Sequence, residues 1–134
     1  MKGVYILLIE LTNNQTIRVG KLGKIFFKKG FYVYIGSAIN NLEKRINRHL
    51  SKNKNYHWHI DYLLQKSEIL EVYIKENNIK EECKLAKIFN EKLEKIHGFG
   101  CSDCKCTSHL FYGKKVDILD LISKIDMTKA SYIF

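Results

Sequence analysis

A carboxylate on the apolar side of a helix needs a reason to be there. In "EECKLAKIFNEKLEKI", residues 81 to 96, Ala86, Phe89, Leu93 and Ile96 recur at the spacing of a buried helical stripe. Glu82 precedes the first three of them by four, seven and eleven positions and so projects from the same side, whereas Glu91 and Glu94 belong to the solvated face. A lone carboxylate there is costly unless a cation, a metal ion or hydrogen bonds satisfy it. The alternative relief is the first helical turn itself, where the dipole favours an acid and solvent is near.

Arg45 and His49 form a second pair, one helical turn apart in "LEKRINRHL". Such a pair can present a guanidinium and an imidazole to one phosphate, since the guanidinium fork matches phosphate oxygens and the imidazole donates or transfers a proton. The competing reading is one edge of a solvated basic helix. Tyr5 and Tyr34 lie in adjacent predicted strands, and a phenol beside a cation or a metal ion ionises more readily than a free one. With eight tyrosines in the chain, packing is the ordinary duty of each.

Two further groups have the residue types of metal sites. Cys101, Cys104, Cys106 and His109 fall within nine residues as C-x2-C-x-C-x2-H, a donor set suited to structural zinc. Tetrahedral closure by so short a loop is awkward, so reduced thiols in a compact loop are the favoured reading. His57, His59 and Asp61 have the H-x-H-x-D pattern of metal hydrolases, but Trp58, Ile60 and the leucine pair beside them point to packing.

The elements that position these groups follow from periodicity. "GVYILLIEL" (3 to 11) reads as a buried strand. Residues 16 to 37 read as further strands broken at Gly20, Gly23 and Gly30, with Phe31, Val33 and Ile35 on one face and Tyr32 and Tyr34 on the other. Short connections make the sheet antiparallel. Asn40 or Asn41 caps the helix that carries Arg45, and Leu42, Ile46 and Leu50 form its packed face. At about 100° per residue, Lys44, Asn47 and Arg48 point outward. A short helix over 57 to 64, a strand over 68 to 74, a helix over 81 to 96, a strand at "HLFYG" and a helix over 116 to 125 complete one domain over residues 1 to 134.

The net charge of +9 is unevenly placed: residues 1 to 66 hold 12 Lys/Arg against Glu10, Glu43 and Asp61, while residues 67 to 134 hold 11 of each sign. A bias confined to half of one domain implies a positive face and a polyanionic partner, nucleic acid before membrane. There is no apolar run of about 18 residues to span a bilayer and no signal-peptide pattern at the start, so a cytoplasmic location is expected.

Taken together, these residues resemble the GIY-YIG endonuclease superfamily. "GVY" at 3 to 5 and "YIG" at 34 to 36 match its two signatures, with Gly3 and Gly36 as their structural glycines. Arg45 and His49 follow at about the expected spacing, and Glu82 stands in a helix after the third core strand. "VGKLG", "YVYIGSA", "HWHIDYLL", "EEC" and "GFGCSDCKCTSHLFYG" are similar to an archaeal and bacterial branch sometimes fused to endonuclease III.

The resemblance implies an α+β fold, a small antiparallel or mixed sheet flanked by helices. The 28 residues between Tyr5 and Tyr34 imply an extra hairpin, over residues 16 to 29, inserted between the signature strands. It further implies a metal-dependent nuclease that hydrolyses phosphodiesters, in DNA before RNA, in a repair or processing context. Glu82 would bind one Mg²⁺ or Mn²⁺, Tyr5 would be general base or orient the attacking water, and Tyr34 would be an active-site phenol. Arg45 would stabilise transition-state charge, His49 would assist in positioning or proton transfer, and Gly36 would let the backbone turn sharply into the helix. Lys44, Arg48, Lys52 and Lys54 would track the nucleic-acid backbone without reading bases. Ser108-His109 stand where the superfamily has a late asparagine. The alternatives are a non-catalytic nucleic-acid-binding module of the same fold and a small zinc-stabilised interaction domain.

Overall fold

The computed structural model describes residues 2–100 and 106–130. Strand β1 (Gly3–Leu11) is buried along nearly its whole length, which is why it is apolar at successive positions rather than at alternate ones. Its even positions, Val4, Ile6 and Leu8, enter one core, and its odd positions, Tyr5, Leu7 and Ile9, enter another on the opposite face of the sheet.

Strands β2 (Gln15–Arg18) and β3 (Lys24–Phe27) pair with each other as a two-stranded sheet between β1 and the next core strand, β4 (Gly30–Ala38). After α1 (Leu42–Leu50) and α2 (His59–Leu64) come β5 (Glu68–Glu76), α3 (Glu82–Asn90), β6 (Glu94–Lys95), β7 (Leu110–Gly113), α4 (Lys115–Ser123) and β8 (Thr128–Lys129). The main sheet has the order β6-β7-β4-β1-β5-β8, and each neighbouring pair is antiparallel. The architecture is therefore α+β, an antiparallel sheet with helices on both faces.

One core packs Leu42 and Ile46 of α1, Ile60, Leu63 and Leu64 of α2 and Ile17 and Phe27 of the hairpin against Tyr5, Leu7, Tyr32 and Tyr34. The other packs Leu85, Ala86 and Phe89 of α3 and Ile118, Leu121 and Ile122 of α4 against Val4, Ile6, Val33 and Ile35. At roughly 1.5–3 kcal/mol for each fully buried large side chain, these two layers are the main favourable term in folding. No helix among the described residues is long and apolar enough to cross a membrane.

Two expectations need correction. The helix expected over 81 to 96 stops at Asn90, and Glu94–Lys95 join the sheet as β6. The reason is that Leu93 packs with the α3 and α4 core while Ile96 packs with the α1 and α2 core, so one straight helical stripe cannot serve both. Gly36 does not form a turn into α1; it lies inside β4, directly opposite Tyr5 of β1, and has no positive φ. What requires glycine there is space: a Cβ would stand 2.4 Å from both the Tyr5 hydroxyl oxygen and its Cζ. Gly3 is constrained in the same way by β5, since a Cβ would lie 2.1 Å from the Lys75 carbonyl oxygen.

Candidate active-site cleft

A cleft of about 260 Å³ opens where β1, β4, the start of α3 and the flanks of α1 and α2 meet. Tyr5, Tyr34, Arg45 and Glu82 all line it, although they come from four separate elements. Lys80 and His57 stand on its wall, and His109 reaches it from the segment leading into β7.

Asn41 starts α1 by accepting a hydrogen bond from the Lys44 backbone N–H at 3.0 Å, and the register this sets brings Arg45 to the cleft. The Arg45 Nη1 donates to the Ser37 carbonyl at 2.8 Å, and its guanidinium lies 4.3 Å from the Trp58 ring centre. The Arg45 charge also acts on the Tyr5 hydroxyl beside it. On its other side the Tyr5 hydroxyl is hydrogen-bonded to His49 Nε2 at 2.5 Å. The other ring nitrogen of His49, Nδ1, is buried with no hydrogen-bond partner among the described residues. A buried polar atom left unsatisfied costs about 1–3 kcal/mol.

His49 therefore stands behind Tyr5, 2% exposed, and only Arg45 of the pair reaches the cleft. A helical spacing of four fixes the side of the helix but not the depth. Burial, with the Lys54, Arg45 and Arg48 charges adding to it and Asp61 opposing, pushes the His49 imidazole down to about 3. Burial also raises the Tyr5 phenol above the ordinary tyrosine range, with the Arg45 charge opposing.

The two adjacent glutamates at the start of α3 are separated by their surroundings. Glu81 is held by Lys75 at 3.3 Å and by the Asn77 side-chain amide. Glu82 faces the cleft, and its Oε2 is buried with no hydrogen-bond partner among the described residues. Beside it, the Sγ atoms of Cys83 and Cys106 and a ring nitrogen of His109 lie within 4.8 Å of one another. Of the cysteine-rich group expected from sequence, Cys101 and Cys104 lie outside the described residues. Ser108 is fully engaged, its Oγ accepting from the Leu110 N–H and donating to the Leu110 carbonyl, both at 2.9 Å. Only His109 of that pair meets the cleft.

The profile of one protein family, described as Domain of unknown function DUF123, matches residues 4–130. The chain belongs to that family. No curated protein and no solved structure matches it.

In this DUF123 chain the "HWHID" segment is a clamp. Asp61, fully buried, accepts the Arg48 guanidinium at 2.9 and 3.0 Å and the backbone N–H groups of His57 and Trp58 at 2.7 and 2.8 Å. Burial would raise its carboxyl, but the Arg48 hydrogen bond and the two backbone donors outweigh it and hold the group below its usual range. His59 is used elsewhere: its Nδ1 accepts from the Gly100 N–H at 2.8 Å. His57, His59 and Asp61 form no metal-ligand cluster.

Arg48 thus folds back instead of pointing outward; its guanidinium is long enough to reach an acid 13 residues further on. Lys54 caps the end of α1, donating to the Arg48 and His49 carbonyls at 3.0 Å. Lys52 donates to the Leu64 carbonyl and, at 2.5 Å, to that of Ser67. Lys44 is exposed. Sequence reading assigned no role to Lys80, which lines the cleft, or to Cys83 of "EEC", which lies beside Cys106 and His109; only the tertiary fold brings them in.

Proposed function

We propose that this chain is a metal-dependent nuclease of the GIY-YIG type that hydrolyses phosphodiester bonds in nucleic acid, DNA before RNA. The observation that carries the reading is the convergence of Tyr5, Tyr34, Arg45 and Glu82 on one cleft, with a carboxylate oxygen of Glu82 buried and unpartnered among the described residues. That oxygen is a hard donor suited to Mg²⁺ or Mn²⁺. Glu82 would hold the ion, which when bound supplies charge stabilisation at the scissile phosphate.

The chain's own residues divide the remaining work. Arg45, fixed by Ser37 and Trp58, turns its remaining donors toward developing charge on the phosphate oxygens. Tyr5 orients the attacking water; as the new P–O bond forms and the bond to the leaving sugar oxygen breaks, the phenol oxygen accepts the water proton, its own proton passes to an acceptor Nε2 of His49, and solvent water protonates the leaving oxygen. This relay avoids a free tyrosinate, which burial disfavours. Tyr34, 7% exposed, offers its phenol to the same cleft. His49 touches no substrate and is a positioning residue.

One observation favours the second reading, binding without cleavage: burial makes both Tyr5 and His49 reluctant to change charge. A panel of duplex, branched, single-stranded and damaged nucleic acids, tested with and without Mg²⁺, separates the two. The nuclease reading expects metal-dependent cleavage abolished in Glu82→Ala with binding retained; binding without any cleavage across the panel would support the second.

A further inference from the structure

We propose that Cys83, Cys106 and His109 form a zinc site that ties the start of α3 to the segment entering β7. The three donors come from positions 83, 106 and 109, so the ion would link two stretches of chain that share no β-ladder. This goes beyond the nuclease reading and stands whether or not the chain cleaves nucleic acid.

Geometry favours it. His109 Nε2 lies 3.8 Å from Cys83 Sγ. Two ligands on one tetrahedral zinc, with Zn–S of about 2.3 Å and Zn–N of about 2.0–2.1 Å, stand about 3.6 Å apart. The observed separation is within a few tenths of an ångström of that value, and the 4.8 Å limit on the whole group leaves only a small closure to make. The imidazole is also oriented for the task. Its Nε2 is the ring nitrogen turned toward Cys83.

The donor chemistry separates this site from the cleft next to it. Two thiolates and an imidazole select Zn²⁺ over Mg²⁺, whereas the Glu82 carboxylate selects the harder ion. Residues 82 and 83 thus address two ions of different character, with His109 on the wall between them. Three protein ligands leave a fourth position for water or another donor.

The test uses the full chain, purified under reducing conditions, stripped with chelator and titrated with Zn²⁺, and with Co²⁺ as a spectroscopic stand-in. The proposal expects one Zn²⁺ per chain, a rise in Tm on binding, and a thiolate-to-cobalt charge-transfer band. Affinity should fall at least about 100-fold in Cys83→Ser and Cys106→Ser and stay within about threefold in Glu82→Gln, since a lost ligand costs more than the 10- to 100-fold of an outer-shell change. Should Cys83→Ser fold poorly, the wild type answers the question itself: bound zinc must slow maleimide labelling of Cys83, read by peptide mass spectrometry. Unchanged cobalt spectra in Cys83→Ser with loss only in Cys101→Ser or Cys104→Ser would overturn the proposal, as would a native disulfide to Cys83 or the absence of zinc binding.

Discussion

The Tyr5 ring lies across Gly36, so close that a single added methyl group at position 36 would stand 2.4 Å from the phenol oxygen. The two residues are direct partners in the β1–β4 ladder, and Tyr5 is 1% exposed. The glycine of "YIG" therefore exists for the tyrosine of "GVY".

Gly36→Ala should destabilise the fold by about 1–3 kcal/mol, the usual cost of overpacking, and lower Tm by several degrees. In a Tyr5→Ala background, where the ring is gone, the same change should cost little. Chemical denaturation of the four proteins checks this; an additive cycle would mean that the two residues do not compete for space.

His49 predicts an acid sensitivity whose sign follows from its environment. Its folded value, about 3, lies below the ordinary value of 6.5, so at a pH between the two the unfolded chain binds a proton that the folded chain refuses. Stability is intact above 6.5 and falls as pH drops through that window, by up to roughly 1.4 kcal/mol per pH unit. His59 and His109, also lowered by burial, act in the same direction. Tm measured from pH 7 to pH 4 should therefore decline more steeply in wild type than in His49→Gln; parallel curves would contradict the assignment.

How much of this was legible beforehand depends on range. β1, β4 and α1 were readable because a continuous apolar run, an alternation and a four-residue repeat are local patterns, and Asn41 caps where an asparagine was expected. The second glutamate of "EECKLA" was distinguishable from its neighbours by phase alone, and it is Glu82, not Glu81, that faces the cleft. Depth and reach were not legible. The spacing of Arg45 and His49 gave a shared side but not that one residue is at the surface and the other behind a tyrosine. Helical phase alone points Arg48 outward because phase ignores how far a guanidinium can return. Cys83 is 23 residues from Cys106, a proximity set by tertiary packing that no motif encodes.

Asp61→Asn should remove the anchor of Arg48 while leaving the backbone donors of His57 and Trp58 with a weaker acceptor. Breaking a buried pair costs about 3–5 kcal/mol, but the Arg48 side chain is 27% exposed and keeps some solvent, so roughly 2–3 kcal/mol is expected. Denaturant unfolding measures it. A change within about 0.5 kcal/mol, the range of an ordinary surface substitution, would mean that the clamp is not structural.

The most direct test of the nuclease reading compares the two neighbouring glutamates under single-turnover conditions with saturating Mg²⁺ on a substrate that the wild type cleaves. Glu82→Gln should lower the cleavage rate on the order of 10² or more with binding intact, while Glu81→Gln, which loses only its contacts to Lys75 and Asn77, stays within a fewfold. Equal rates for the two variants, or metal-dependent cleavage that survives Glu82→Gln, would contradict the central claim.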